Sequence, residues 1–196
     1  MRQAVTPSGW RPLRSLLLLL LCASGTWPPL ICANSQEKPA TGEPVLVPNS
    51  CPVTKPGDRP FVPPSKYPKK LGKDYFWYGT DRLWVALPTR GTWAGLPHYT
   101  PQDPTFRQKI MWWREGLGAN ADLRGRFNII GKRLDSLAPP LLSDPVSGVS
   151  GGVIEHGIVK GPPFIMSGVN FPTLGCWEVI GRFEQDELTF VIWIAP

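Results

Sequence analysis

The sequence predicts an all-β fold, built as a two-sheet sandwich. Three observations carry this reading. Proline and glycine, 24 and 20 residues of 196, load the chain with breakers, which suits many short strands joined by turns. From Lys73 onward, short aromatic and β-branched runs recur between turn residues. The last two of these runs alternate apolar and polar side chains with a period of two across a short polar turn, the pattern of a half-buried hairpin.

The elements follow in order. Residues 1–33 read as a secretory signal peptide. Arg2, Arg11 and Arg14 precede six leucines, Leu16 to Leu21, and small residues follow. The apolar core, Ser15 to Ala23, is shorter than the roughly 18–20 residues a membrane-crossing helix needs. Cleavage after Ala33 starts the mature chain at Asn34. Cleavage after Gly25 is the alternative. A lipid on Cys22 is a third route, although Leu21 stands where such a site wants a small residue. Residues 34–72 hold nine prolines with Lys38, Lys55, Lys66, Lys69 and Lys70, and show neither helical nor strand period. They are expected to form an extended, polyproline-like tether.

Residues 73–196 form the expected domain. Asp74 to Tyr78 and Arg82 to Leu87, with Gly79-Thr80-Asp81 between, read as a hairpin. Gly91 to Pro104 reads as irregular, and Phe106 to Arg114 as a strand. Asp122 to Leu134 puts Leu123, Gly125, Phe127 and Ile129 on one face and Arg124, Arg126 and Asn128 on the other. Ser143 to Gly152 reads as a Gly/Ser loop, and Pro163 to Phe171 as another apolar run. Cys176 to Phe183 and Glu187 to Ile194, joined by Glu184-Gln185-Asp186, form the terminal hairpin. The count is seven or eight short strands, and their spacing fits an immunoglobulin-like sandwich first and an open barrel second.

Charge narrows the function. Without the three leader arginines, the 21 basic residues fall to 18 against 15 acids, a balance of +3. That is too small an excess to argue for nucleic-acid binding. Removal of the leader also leaves two of the four cysteines, Cys51 and Cys176. In an exported chain two cysteines most economically form a disulfide. Two free buried thiols are the alternative. Two cysteines with no nearby histidine pair do not make a tetrahedral metal site.

Several motifs recur together: Cys51-Pro52-Val53-Thr54; Leu83-Trp84-Val85-Ala86-Leu87-Pro88; Trp112-Trp113-Arg114; Gly131-Lys132-Arg133-Leu134-Asp135 with Ala138-Pro139-Pro140-Leu141; and Phe171-Pro172-Thr173-Leu174-Gly175-Cys176-Trp177-Glu178-Val179 with Leu188-Thr189-Phe190-Val191. In this order they resemble a family of secreted bacterial proteins and lipoproteins whose members carry no established activity. The resemblance implies export, a single compact domain and the Cys51 and Cys176 pair. It carries over no catalytic or ligand residue.

Enzyme signatures are sparse: no nucleophile elbow, zinc-protease helix motif, phosphate-binding glycine loop or calcium-binding loop is present. His98 and His156 are the only histidines. Glu155-His156 reads as a solvated loop pair. Asp135 and Glu178 read as partners of Arg133 and Arg182 on strand faces. No cofactor or metal is expected. Aromatic residues give the stronger lead. Adjacent strand positions face opposite ways, so Trp112 and Trp113 cannot share one core, and one of them is expected at a solvent-facing, edge or loop-covered position. Such an indole beside Arg114 suits stacking on a sugar ring or a partner surface. Trp112, Trp113 and Arg114, supported by Trp93, are therefore the expected contact residues, and Trp177 is expected over the disulfide. The expected function is a non-catalytic cell-envelope or extracellular binding module. Its candidate partners are a cell-surface glycan or another envelope protein, with membrane contact only through the leader or a lipid on Cys22. A hydrolase of envelope polysaccharide, using Asp135, Glu178 and His156, is the rival, and a purely structural envelope protein is the third reading.

Overall fold

The computed structural model describes residues 45–64, 67, 71–151, 153–155, 158–160 and 162–196. The expected leader, its cleavage and lipidation candidates, and His156 lie outside the described residues. No helix occurs among those described. Eleven strands are present: β1 (Tyr75–Gly79), β2 (Leu83–Pro88), β3 (Thr92–Ala94), β4 (Phe106–Arg114), β5 (Phe127–Arg133), β6 (Leu142–Ser143), β7 (Val153–Glu155), β8 (Ile158–Lys160), β9 (Ile165–Phe171), β10 (Gly175–Phe183) and β11 (Asp186–Ala195).

They form the expected two-sheet sandwich. One sheet has five strands in the order β1-β2-β4-β9-β6, the other four in the order β3-β11-β10-β5, and β7-β8 is a small separate hairpin. The terminal hairpin is the longest pairing, from Gly175↔Ile194 to Phe183↔Asp186. Its two-residue loop places Glu184 at φ 54°. The Glu184 N–H donates to the Arg126 carbonyl at 3.0 Å, and Arg126 pairs with the Glu184 carboxylate at 2.6 Å. These contacts hold a non-glycine residue in a left-handed conformation.

The inner faces interlock aromatic rings. Leu83, Val85, Leu87, Ile110, Trp112, Ile165, Val169 and Phe171 come from the five-stranded sheet. Phe127, Ile129, Trp177, Val179, Phe183, Leu188, Phe190, Ile192 and Ile194 come from the other, and all are buried. Trp112 is fully enclosed. Its Nε1–H donates to Ser167 Oγ at 3.2 Å, and its ring lies 5.5 Å from Phe127 and 5.8 Å from Phe190.

The two sheets differ on their outer faces. β10 alternates Glu178 and Arg182 with buried residues, so its outer face is wet. β2 shows no such alternation, because Leu83, Trp84, Val85, Leu87 and Pro88 are all buried and Ala86 nearly so. The outer face of the five-stranded sheet carries a second apolar cluster of Tyr67, Trp77, Trp84 and Trp113, with Phe61, Leu71, Ala86 and Phe164 against it.

Part of that covering comes from the proline-rich segment. Cys51 is bonded to Cys176 across 125 residues. The Thr54 N–H donates to the Val191 carbonyl at 2.8 Å, and the Val191 N–H donates to Thr54 Oγ1 at 2.9 Å. Val53 lies against Gly91, whose φ of 64° and bare α-carbon allow the approach. Further on, Phe61 packs tilted against Trp84 at 5.8 Å and Tyr67 meets it edge to face at 4.9 Å. The described residues of this segment thus form a strap, stapled beside β11 and laid over the outer aromatic cluster.

Candidate ligand-binding site

β2 and β4 part company along the outer sheet. Their pairing covers only Leu83↔Arg114, Trp84↔Trp113 and Val85↔Trp112. β4 runs on with β9 alone, from Phe106↔Phe171 to Trp112↔Ile165. The fork closes again at its far end, where His98 bridges Phe106 and the Arg107 N–H donates to the Pro97 carbonyl at 2.8 Å. Peptide groups alternate in direction along a strand. The Arg107 N–H points to Pro97, and the Glu115 N–H donates to the Arg82 carbonyl at 3.0 Å. The same alternation aims the Lys109 peptide groups into the fork.

A cavity of about 460 Å³ fills it, within the size range of small-molecule sites. Trp77 and Trp113 form its aromatic floor, edge to face at 4.8 Å. Tyr67 and Leu71 of the strap, Tyr75 of β1, Met111 of β4 and Phe164 complete the apolar wall. Lys109 is the only charged residue among the described lining. Tyr75, Trp93 and Gln108 also line an adjoining cleft of about 730 Å³, whose wall is mixed and includes Asp74 and Arg90.

The structure splits the four expected contact residues. Trp113 and Trp93 line the cavity. Trp112 faces the sandwich interior, and Arg114 lies at the hairpin end. There Arg114 reaches Asp186 at 3.3 Å and Glu184 at 3.7 Å, and sits 4.4 Å above the Phe183 ring. Trp112 and Trp113 do take opposite faces, as strand alternation requires. Neither is an open platform: Trp112 is 0% and Trp113 9% exposed, because Phe164 and its neighbours roof the outer face. Trp177 also departs from expectation. It faces the core, 5.6 Å from Phe171, while its neighbour Cys176 projects to the opposite face.

The carboxylates of the hydrolase reading are held locally. Glu178 pairs with Lys132 at 3.3 Å rather than with Arg182, which donates to Glu187 at 2.6 Å. Asp135 accepts from Arg133 Nε at 2.6 Å and from the Cys176 N–H at 3.2 Å. Among the described residues no cluster of histidine, cysteine and carboxylate side chains could hold a metal.

The Arg133 hydrogen bond, then the Cys176 N–H, hold the Asp135 carboxyl below its ordinary range against the opposing effect of burial. A carboxyl depressed in the folded state contributes stability above its unfolded pKa, about 3.9. That contribution is lost as pH falls through the lower folded value. Asp135→Asn is therefore expected to lower stability at neutral pH and to flatten the decline below about pH 4. Urea unfolding of both proteins across pH 2–7 measures this, and parallel curves would remove Asp135 from the acid response.

Sequence reasoning did not find the fork or the strap residues of the wall. The available signal was the unbroken apolar run Leu83-Trp84-Val85-Ala86-Leu87, echoed by Ile110-Met111-Trp112-Trp113. A strand without polar alternates is buried on both faces, so something had to cover the second one. No family model, curated protein or solved structure matches the chain.

Proposed function

We propose that this protein is an exported, non-catalytic binding module and that the aromatic cavity in the sheet fork is its ligand seat. One observation carries the reading. A half-enclosed cavity of about 460 Å³, walled by Trp77, Trp113, Tyr75, Met111 and Phe164, lies on the outer face of a sheet whose inner face already supplies the core. The fold does not need a second apolar hollow for its own packing. Export is supported by the arginine and leucine leader and by the disulfide, which belongs to oxidising compartments. The family resemblance points the same way.

The wall favours a compact apolar ligand over a glycan. Sugar rings stack on open indole faces, whereas Trp113 is enclosed edge-on against Trp77. The neutral fluorophore N-phenyl-1-naphthylamine is expected to bind with a blue-shifted, enhanced emission. Met111 is 42% exposed at the cavity wall, so Met111→Trp fills the space with little cost to folding. It is expected to weaken binding at least tenfold while the urea midpoint stays within about 0.5 kcal/mol of the parent. No enhancement with the parent protein, or equal binding by Met111→Trp, overturns the assignment.

A further inference from the structure

We infer that the ligand is an amphipathic monoanion, an apolar body carrying a carboxylate-like head. This rests on the cavity being the ligand seat, and it goes further by assigning the chemistry at the polar end. Two donors in the wall have no protein acceptor among the described residues. Lys109 projects at the rim with no ion-pair partner among the described residues, although most other described charged residues of the strands are paired. Trp93 is 93% buried by its 7% exposure, and its indole N–H has no hydrogen-bond partner.

The lining acceptors are few. Among the described residues the wall holds no aspartate and no glutamate. A buried donor left without an acceptor costs about 1–3 kcal/mol, so a ligand that brings an acceptor removes that cost. A cationic or purely donor head finds Lys109 opposing it and no carboxylate to receive it. A neutral hydrocarbon fills the aromatic part, leaves the buried Trp93 N–H unmet and gives the exposed Lys109 ammonium no counter-charge. An anionic head meets the ammonium group through a charge-assisted bond, and an acceptor oxygen seated against Trp93 also receives its N–H. The Lys109 peptide groups, aimed into the fork, add polar contacts at the same end.

Decanoate, decanol and decylamine, each below its aggregation limit, separate these cases. Binding is read by displacement of N-phenyl-1-naphthylamine and by quenching of tryptophan emission. Decanoate is expected to bind at least tenfold more tightly than decanol, and decylamine more weakly than either. Lys109→Gln is expected to erase most of the preference for decanoate while leaving decanol unchanged, and Lys109→Glu to turn the preference toward decylamine. Trp93→Phe removes the donor together with one ring of the wall, so it is read as a ratio: the preference for decanoate over decanol is expected to fall several-fold. Equal affinity for decanoate and decanol in the parent overturns the inference, as does a preference that survives both Lys109→Gln and Trp93→Phe. In both cases the cavity still binds apolar molecules. Failure of the naphthylamine to bind at all is the separate result that removes the ligand seat itself.

Discussion

Replacing Cys51 and Cys176 together by alanine is expected to lower the unfolding free energy by about 3–5 kcal/mol. The bridge spans 125 residues, and in the chain-entropy description a closed loop of that length contributes near the top of this range. The loss should not be uniform along the chain. Cys176 belongs to the best-paired strand of the protein, held by β11 on one side and β5 on the other. Among the described residues, the Cys51 strap has few backbone bonds beyond those of Thr54 to Val191. Breaking the bridge therefore frees the strap first. Phe61 and Tyr67 lose their anchorage over Trp84, and the outer aromatic cluster takes on water. The expected sequence on reduction is a red shift of tryptophan emission with far-ultraviolet ellipticity retained, followed by cooperative unfolding at a lower urea concentration. Reduced parent and double variant should behave alike. A urea midpoint insensitive to reductant would show that Thr54 and the Phe61 and Tyr67 contacts suffice to hold the strap.

The same contrast between local and long-range bonding explains which parts of the fold are legible in the sequence. Phe106 to Arg114 and the hairpin Cys176 to Ile194 read correctly because neighbours in sequence set their pattern. The Asp122 to Leu134 run was longer than the strand it contains. Leu123 is buried on its expected face, but a turn in which the Arg126 N–H donates to the Leu123 carbonyl puts it there. β3 was hidden inside the segment read as irregular. It has three residues, too few for any period, and exists only through parallel pairing of Thr92–Ala94 with Trp193–Ala195 at the far end of the chain. The cavity was illegible for a related reason. Its wall combines β1, β2, β3, β4, the strap and the segment before β9, and no local pattern brings these together. Alternation alone marks one of Trp112 and Trp113 for the outer face, and the fold decides that it is Trp113. Tyr67, Trp77 and Phe164 required the fold.

Gly181→Val is expected to destabilise the protein by about 2–3 kcal/mol, through a place where the opposite sheet's Trp112 is fitted to a bare α-carbon. Gly181 lies on the inner face of β10, and an added Cβ there would fall within the Trp112 ring. This glycine serves space rather than conformation, since its φ is not among the left-handed glycine values. Trp112 has little freedom to retreat. Its Nε1–H is committed to Ser167, and Phe127 and Phe190 flank it. Overpacking a rigid, buried contact forces off-rotamer side chains or backbone shifts. A cycle with Trp112→Phe tests the mechanism directly. Trp112→Phe alone is expected to cost stability by leaving a void and the Ser167 hydroxyl without its donor. In its presence Gly181→Val should cost less, with a coupling of about 1–2 kcal/mol between the two sites. Simple additivity would place the strain elsewhere on β10. Neither Gly181 nor Trp112 lines the cavity. Naphthylamine affinity should therefore survive Gly181→Val wherever the protein remains folded.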